Sequence, residues 1–109
     1  MKVFKKLNGI RVFQRTNMPY LKTLEDYDII CVIGAAAEAG PLIIAKHLVE
    51  GKLGASATIR RRLERLVKLG VVVKTKGKDD QRTAPLWLSR EALKAYGKLE
   101  KHLARLEKQ

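Results

Sequence analysis

Between Ser56 and Arg82 the chain carries nine cationic side chains: Arg60, Arg61, Arg62, Arg65, Lys68, Lys74, Lys76, Lys78 and Arg82. Only Glu64, Asp79 and Asp80 oppose them. An ordinary solvated helix face would pair most of its arginines with glutamates four residues away, and here Glu64 alone stands among five cations of the helix, so a surplus of six positive charges remains over the whole stretch. Guanidinium and ammonium groups at this density do one kind of chemistry well. They neutralise phosphates and release the counterions that a polyanion condenses. An arginine can in addition bond bidentately to the major-groove edge of guanine.

The elements that must position these charges follow from periodicity. In Ala55–Leu69 the apolar residues Ile59, Leu63, Leu66 and Val67 fall on one helical face. The opposite face collects Ala57, Thr58, Arg61, Arg65 and Lys68, with Arg60 and Arg62 on its flanks. Ser56 is the expected N-cap and Gly70 the C′ residue that ends the helix. Val71–Lys76 reads as a strand, Gly77–Gln81 as a polar turn and Arg82–Leu88 as the return strand. A helix with a basic outer face therefore feeds a basic hairpin.

Upstream, Thr23-Leu-Glu-Asp26 predicts a helix with a threonine cap and acids in its first turn, running to about Gly40. Leu24, Tyr27, Ile30 and Cys31 are its expected core face, with Cys31 an inert core thiol. A second helix is expected from Pro41, at N1, to about Glu50, with His47 at the surface. Gly51-Lys-Leu-Gly54 makes the turn into the basic helix. Helix, helix, glycine-bearing turn, recognition helix and hairpin form a winged helix-turn-helix order.

The two ends differ in character. In residues 2–15, Asn8-Gly9 between β-prone runs predicts a type I′ hairpin with a basic rim; a loosely ordered basic arm is the alternative. From Ser89, an N-cap, a last helix places Ala92, Tyr96, Leu99, Leu103 and Leu106 at steps of 4, 3, 4 and 3, a heptad seam that predicts a dimerisation coiled coil. A helix folded back on its own domain is the plainer reading of the same stripe.

Composition excludes several classes. With 109 residues the chain makes one core, and its net charge of +12 is polarised. Residues 1–22 hold six basic residues and no acid, whereas residues 23–55 hold five acids and two bases. That pattern favours a polyanionic partner. No apolar run reaches the ~20 residues of a membrane span, and Met1–Gly9 breaks too early for a signal peptide. One cysteine excludes an internal disulfide, and no Cys/His cluster offers a metal site. No paired acids, phosphate loop or nucleophile–base pair suggests an enzyme, and no cofactor is expected. The expected setting is cytoplasmic and nucleoid-associated.

The segment Asp80-Gln-Arg82-Thr-Ala-Pro-Leu86-Trp-Leu88-Ser89 fits the pattern D-x-R-x-x-x-L-x-L-[ST]. It resembles the wing of MarR-type regulators, and the likeness covers roughly residues 23–95. The resemblance implies a dimeric prokaryotic transcription regulator. It implies that Arg82 reaches the minor groove or the backbone, and that Asp80 holds Arg82 in place. The chain departs from that family in its hairpin-like N-terminal segment and its longer Val49–Ala55 turn. A winged helix with a C-terminal coiled coil also resembles small archaeal chromatin proteins.

The expected organisation is a mainly α fold with a small β-hairpin wing: a basic N-terminal arm or hairpin (1–22), a winged helix-turn-helix (23–88) and a C-terminal dimerisation helix (89–109). The expected partners are double-stranded DNA and a second copy of the chain, with an architectural or RNA-associated role as the alternatives. Ser56, Ala57, Thr58 and Arg61 are expected at base edges. Arg60, Arg62, Arg65 and Lys68 are expected on phosphates, and Lys76, Lys78 and Arg82 on backbone or minor groove. Trp87 is expected to pack rather than to stack on a base.

Overall fold

Ile29, Ile30 and Ile33 sit on one side of a 16-residue helix and are at most 1% exposed; the rest of the molecule is laid around them. The computed structural model describes residues 2–75 and 81–108. Five helices and a two-stranded sheet follow in order: α1 (Val3–Asn17), α2 (Leu24–Ala39), α3 (Ala45–Glu50), α4 (Ser56–Lys68), β1 (Val72–Lys74), β2 (Leu86–Leu88) and α5 (Arg90–Glu107). A short 3-10 turn, Gln81–Thr83, precedes β2. The expected mainly α, winged helix-turn-helix fold is what forms.

The core joins α2 to Leu48 and Val49 of α3, Ile59, Leu63 and Leu66 of α4, and the inward residues of the sheet, Val72, Leu86 and Leu88. β1 and β2 pair antiparallel with Val72 opposite Leu88 and Val73 opposite Trp87. Alternation along these short strands sends Leu86 and Leu88 inward and Trp87 outward. On α2 the buried face is Asp26, Ile29, Ile30 and Ile33. Leu24, expected in the core, is 70% exposed, and Cys31 is exposed as well, so the sequence reading placed the stripe one residue out of phase. A helix apolar nearly all round leaves its inward face undetermined by periodicity alone.

Local chemistry explains the boundaries. Thr23 accepts a hydrogen bond from the Asp26 amide and Asp26 bonds back to the Thr23 amide, a complete capping box. Gly70 has φ +79°, and the amides of Gly70 and Val71 donate to the carbonyls of Val67 and Leu66 at 3.0 Å each. This pair of hydrogen bonds closes α4 as a Schellman motif, which the left-handed glycine makes possible. Ser89 caps α5 by accepting from the Ala92 amide. Ser56, by contrast, is the first helical residue of α4 and not its cap; Ala55 holds the cap position without a side-chain bond.

Two elements correct the sequence reading. The helix expected from Pro41 begins only at Ala45. The β2 segment claims the intervening backbone: Ala45 donates to the Ala84 carbonyl at 3.0 Å and Leu86 to the Ile43 carbonyl at 2.9 Å, with Ile44 bridging Pro85. The N-terminal segment is neither hairpin nor loose arm. It is helix α1, antiparallel to α5. Lys6 pairs with Glu107, Gly9 faces Leu106, and Phe13 stacks on His102 at a ring separation of 5.5 Å. Tertiary packing against α5 overrides the Asn-Gly turn signal, because a lone hairpin would have left Ile10 and Phe13 without cover.

The same packing answers for the heptad seam. Ala92 and Leu99 are buried and Tyr96, Leu103 and Leu106 are partly buried, but within the chain: Tyr96 and Leu103 pack on the core, and Leu106 meets α1 at Gly9. The seam residues thus pack in part within the chain, as a helix folded back on its own domain would place them.

Candidate nucleic-acid interface

The three consecutive arginines of α4 are divided by the turn of the helix. At 100° per residue, Arg62 and Arg65 fall on the flank facing α2 and Arg60 on the other flank, leaving Arg61 and Lys68 pointing away from the core. The inner pair has a protein partner. Arg62 Nε donates to Asp26 Oδ1 at 2.9 Å, and its Nη2 donates to Oδ2 of the same carboxylate. Arg65 Nη1 donates to the Tyr20 carbonyl at 2.9 Å and lies 3.6 Å from Asp26 Oδ2. Both were expected on phosphates; the structure turns them inward.

Asp26 is 0% exposed and serves four donors. Besides the arginines, its Oδ2 accepts from the amides of Lys22 and Thr23 at 2.9 and 3.0 Å. Burial pushes its pKa up, but the Arg62 fork and the two amides outweigh burial, so the carboxylate titrates below its ordinary value. The same contact raises Arg62 above the ordinary guanidinium value. Next along α2, the Tyr27 ring lies under Arg11 of α1, with the guanidinium carbon 4.3 Å from the ring centre. The first turn of α2 thereby ties both α1 and α4.

The outward face of α4 is left clear. Ser56, Ala57, Arg60, Arg61 and Lys68 are exposed and Thr58 is half-buried. Among the described residues Arg60, Arg61 and Lys68 have no ion-pair partner. Beside this face, α3, α4 and the wing enclose a groove of about 190 Å³ lined by Lys46, Arg60, Lys74 and Arg82, with Glu50 and Glu64 among them. Lys76, Lys78 and Asp80, three of the expected wing contacts, lie outside the described residues. Lys46 was not among the expected contacts, and Lys74 was counted in the basic stretch without a contact of its own. Their signal was their place on the two elements flanking the basic helix, visible only once α3 and β1 are folded beside it.

A second concavity is apolar. It encloses about 380 Å³ between α2, β2 and the start of α5, with Cys31, Gly34, Ala35, Trp87, Leu93 and Tyr96 in its walls. Cys31, expected as a core residue, belongs here. Desolvation by the surrounding walls, then Asp28, raises its thiol above the ordinary cysteine value. Trp87, 39% exposed, packs at the rim beside α2, away from the basic face. The Tyr96 hydroxyl is held protonated by burial. No helix among the described residues is long and apolar enough to cross a membrane.

No family model and no curated protein matches this sequence. Among solved structures, the chain is similar to the organohalide-sensing transcriptional regulator RdhR-CbdbA1625 in its 2,4-dichlorophenol-bound form. That alignment has TM-score 0.56 and 19% identity, over 98% of this chain and 62% of the other. The ligand-free form of the same regulator gives TM-score 0.57 and 18% identity over 98% and 61%. The chain thus spans about three fifths of the length of that regulator. Likeness at this identity establishes the fold: the chain is a winged helix that shares its architecture with a transcriptional regulator.

Proposed function

We propose that the chain is a sequence-specific double-stranded-DNA-binding transcription regulator of MarR-like type, with α4 in the major groove and the wing on backbone or minor groove. One observation carries this reading most: the outer face of α4 keeps Arg60, Arg61 and Lys68 unpaired while its inner arginines are neutralised inside the protein. A helix evolved only for solubility has no use for that division. Ser56, Ala57, Thr58 and Arg61 lie at the N-terminal half of α4, which sits deepest in such complexes. Arg61 is the guanine reader, and Arg60, Lys68, Lys46 and Lys74 meet phosphates. Lys76 and Lys78 supply wing contacts to the backbone by their charge, and Arg82, oriented by Asp80, supplies the contact that the resemblance implies.

The regulator works as a homodimer, through a surface other than the α5 seam. Val3, Phe4 and Leu7 continue the apolar stripe of α1 round to the side away from α5; all three are exposed, Phe4 by 70%. Competition among duplex DNA, duplex RNA and single strands at one salt concentration tests the class. Duplex DNA is expected to win. Preference for duplex RNA or single strands would replace the reading with an RNA-associated winged helix.

A further inference from the structure

Arg62 and Arg65 stand on the same helix as Arg61, within reach of the same polyanion, and yet both are directed at α2. Nothing in their own chemistry keeps them there. Asp26 does: its carboxylate is fully buried, it takes both donors of the Arg62 fork, it lies 3.6 Å from Arg65, which also donates to the Tyr20 carbonyl, and it is fixed in turn by the Lys22 and Thr23 amides. Resting on the DNA-binding reading above, we propose that Asp26 is a specificity-determining positioning residue, which withholds Arg62 and Arg65 from phosphates so that Arg61 reads sequence.

The argument is one of competing partners. A phosphate offers a guanidinium an exposed, salt-screened contact. Leaving for it would strand a buried carboxylate without its counter-charge, which costs more than an exposed contact returns. The two arginines therefore stay with Asp26 when DNA arrives. Every phosphate contact adds affinity for all sequences alike, whereas only base contacts separate one sequence from another. Removing two potential phosphate contacts per chain lowers the sequence-independent part of binding and leaves the part carried by Arg61. The bidentate pair adds to the buried Ile59, Leu63 and Leu66 in holding α4 with Arg61 and Lys68 outward.

The test is Asp26→Asn in the full chain, measured on two duplexes over a salt series: one selected by the wild-type chain from a random pool, the other a scramble of it. Loss of the carboxylate charge frees Arg62 and leaves Arg65 held by the Tyr20 carbonyl alone. Binding to the scramble is expected to strengthen about tenfold, and the log–log salt slope to steepen by about 1–2 per chain. The ratio between the two duplexes is expected to fall. An unchanged slope and ratio accompanied only by a lower melting temperature would overturn the proposal, since Asp26 would then merely hold the fold together. Should Asp26→Asn not fold, Arg65→Met serves instead, because Asp26 keeps its Arg62 fork. The slope is expected to stay at the wild-type value; a slope shallower by about 0.9 would show Arg65 on a phosphate and overturn the proposal. A wild-type chain that binds no duplex at all removes the DNA-binding reading itself, and the proposal with it.

Discussion

A Cβ built on Gly9 would stand 2.7 Å from Cδ1 of Leu106, so the first and last helices meet where only a glycine leaves the leucine undisturbed. Replacing Gly9 by alanine adds about 1 kcal/mol of helix propensity and displaces the flexible end of one side chain. Its net effect on stability is expected to stay within about 1 kcal/mol of zero. Gly9→Ile cannot be absorbed by one leucine rotamer and is expected to destabilise by about 1–3 kcal/mol. Urea unfolding checks both; an unchanged midpoint in Gly9→Ile would contradict the close contact.

That contact also shows where the sequence was misleading. Asn8-Gly9 has the local chemistry of a hairpin turn, and the use of this glycine, a close approach to a residue 97 positions away, has no local trace. The stripe Ala92, Tyr96, Leu99, Leu103 and Leu106 was legible as a stripe. What covers it was not, because an apolar face is equally served by a second chain or by α1. The winged helix-turn-helix order, the Thr23 and Ser89 caps and the Gly70 terminus were legible, since each depends on residues a few positions apart. The basic face of α4 was legible as charge. Its division into an inward pair and an outward set was not, because Asp26 lies 36 residues before Arg62.

Two variants separate the surfaces that hold the chain together from the one proposed to pair it. Phe4→Asp with Leu7→Asp is expected to yield a folded monomer by light scattering, with an unchanged circular dichroism spectrum. Leu99→Asp, in the buried part of the α5 seam, is expected to unfold the chain, since a buried charge without a partner costs several kcal/mol. A folded monomer from Leu99→Asp would return the dimer interface to α5.

Asp26 gives stability a defined pH dependence. Its folded-state pKa lies below the ordinary 3.8, so its contribution is fully present above that value and is lost as pH falls through the folded-state pKa. Asp26→Asn is expected to cost about 3 kcal/mol at pH 7 by breaking a buried pair, and the gap to wild type is expected to close in acid. Melting temperatures from pH 7 down to pH 2 check the sign; a gap that widens in acid would contradict it.

Arg61 and Lys68 are both exposed on α4 and are expected to behave differently. Arg61→Ala should lower binding to the selected duplex by ~1–3 kcal/mol and change scrambled-duplex binding much less. Lys68→Ala should weaken both alike. Equal losses on both duplexes for Arg61→Ala would make it a phosphate contact and move base reading elsewhere on the helix.

The claim that matters most is that α4 and the wing together grip duplex DNA, and the salt dependence of wild-type binding tests it most directly. Each neutralised phosphate contributes about −0.9 to the slope of log affinity against log salt. A dimer placing Arg60, Lys68 and the wing cations on both half-sites should give a slope of about −5 or steeper. A slope near −1 would mean that one or two charges carry the binding, and the two-element grip would be wrong.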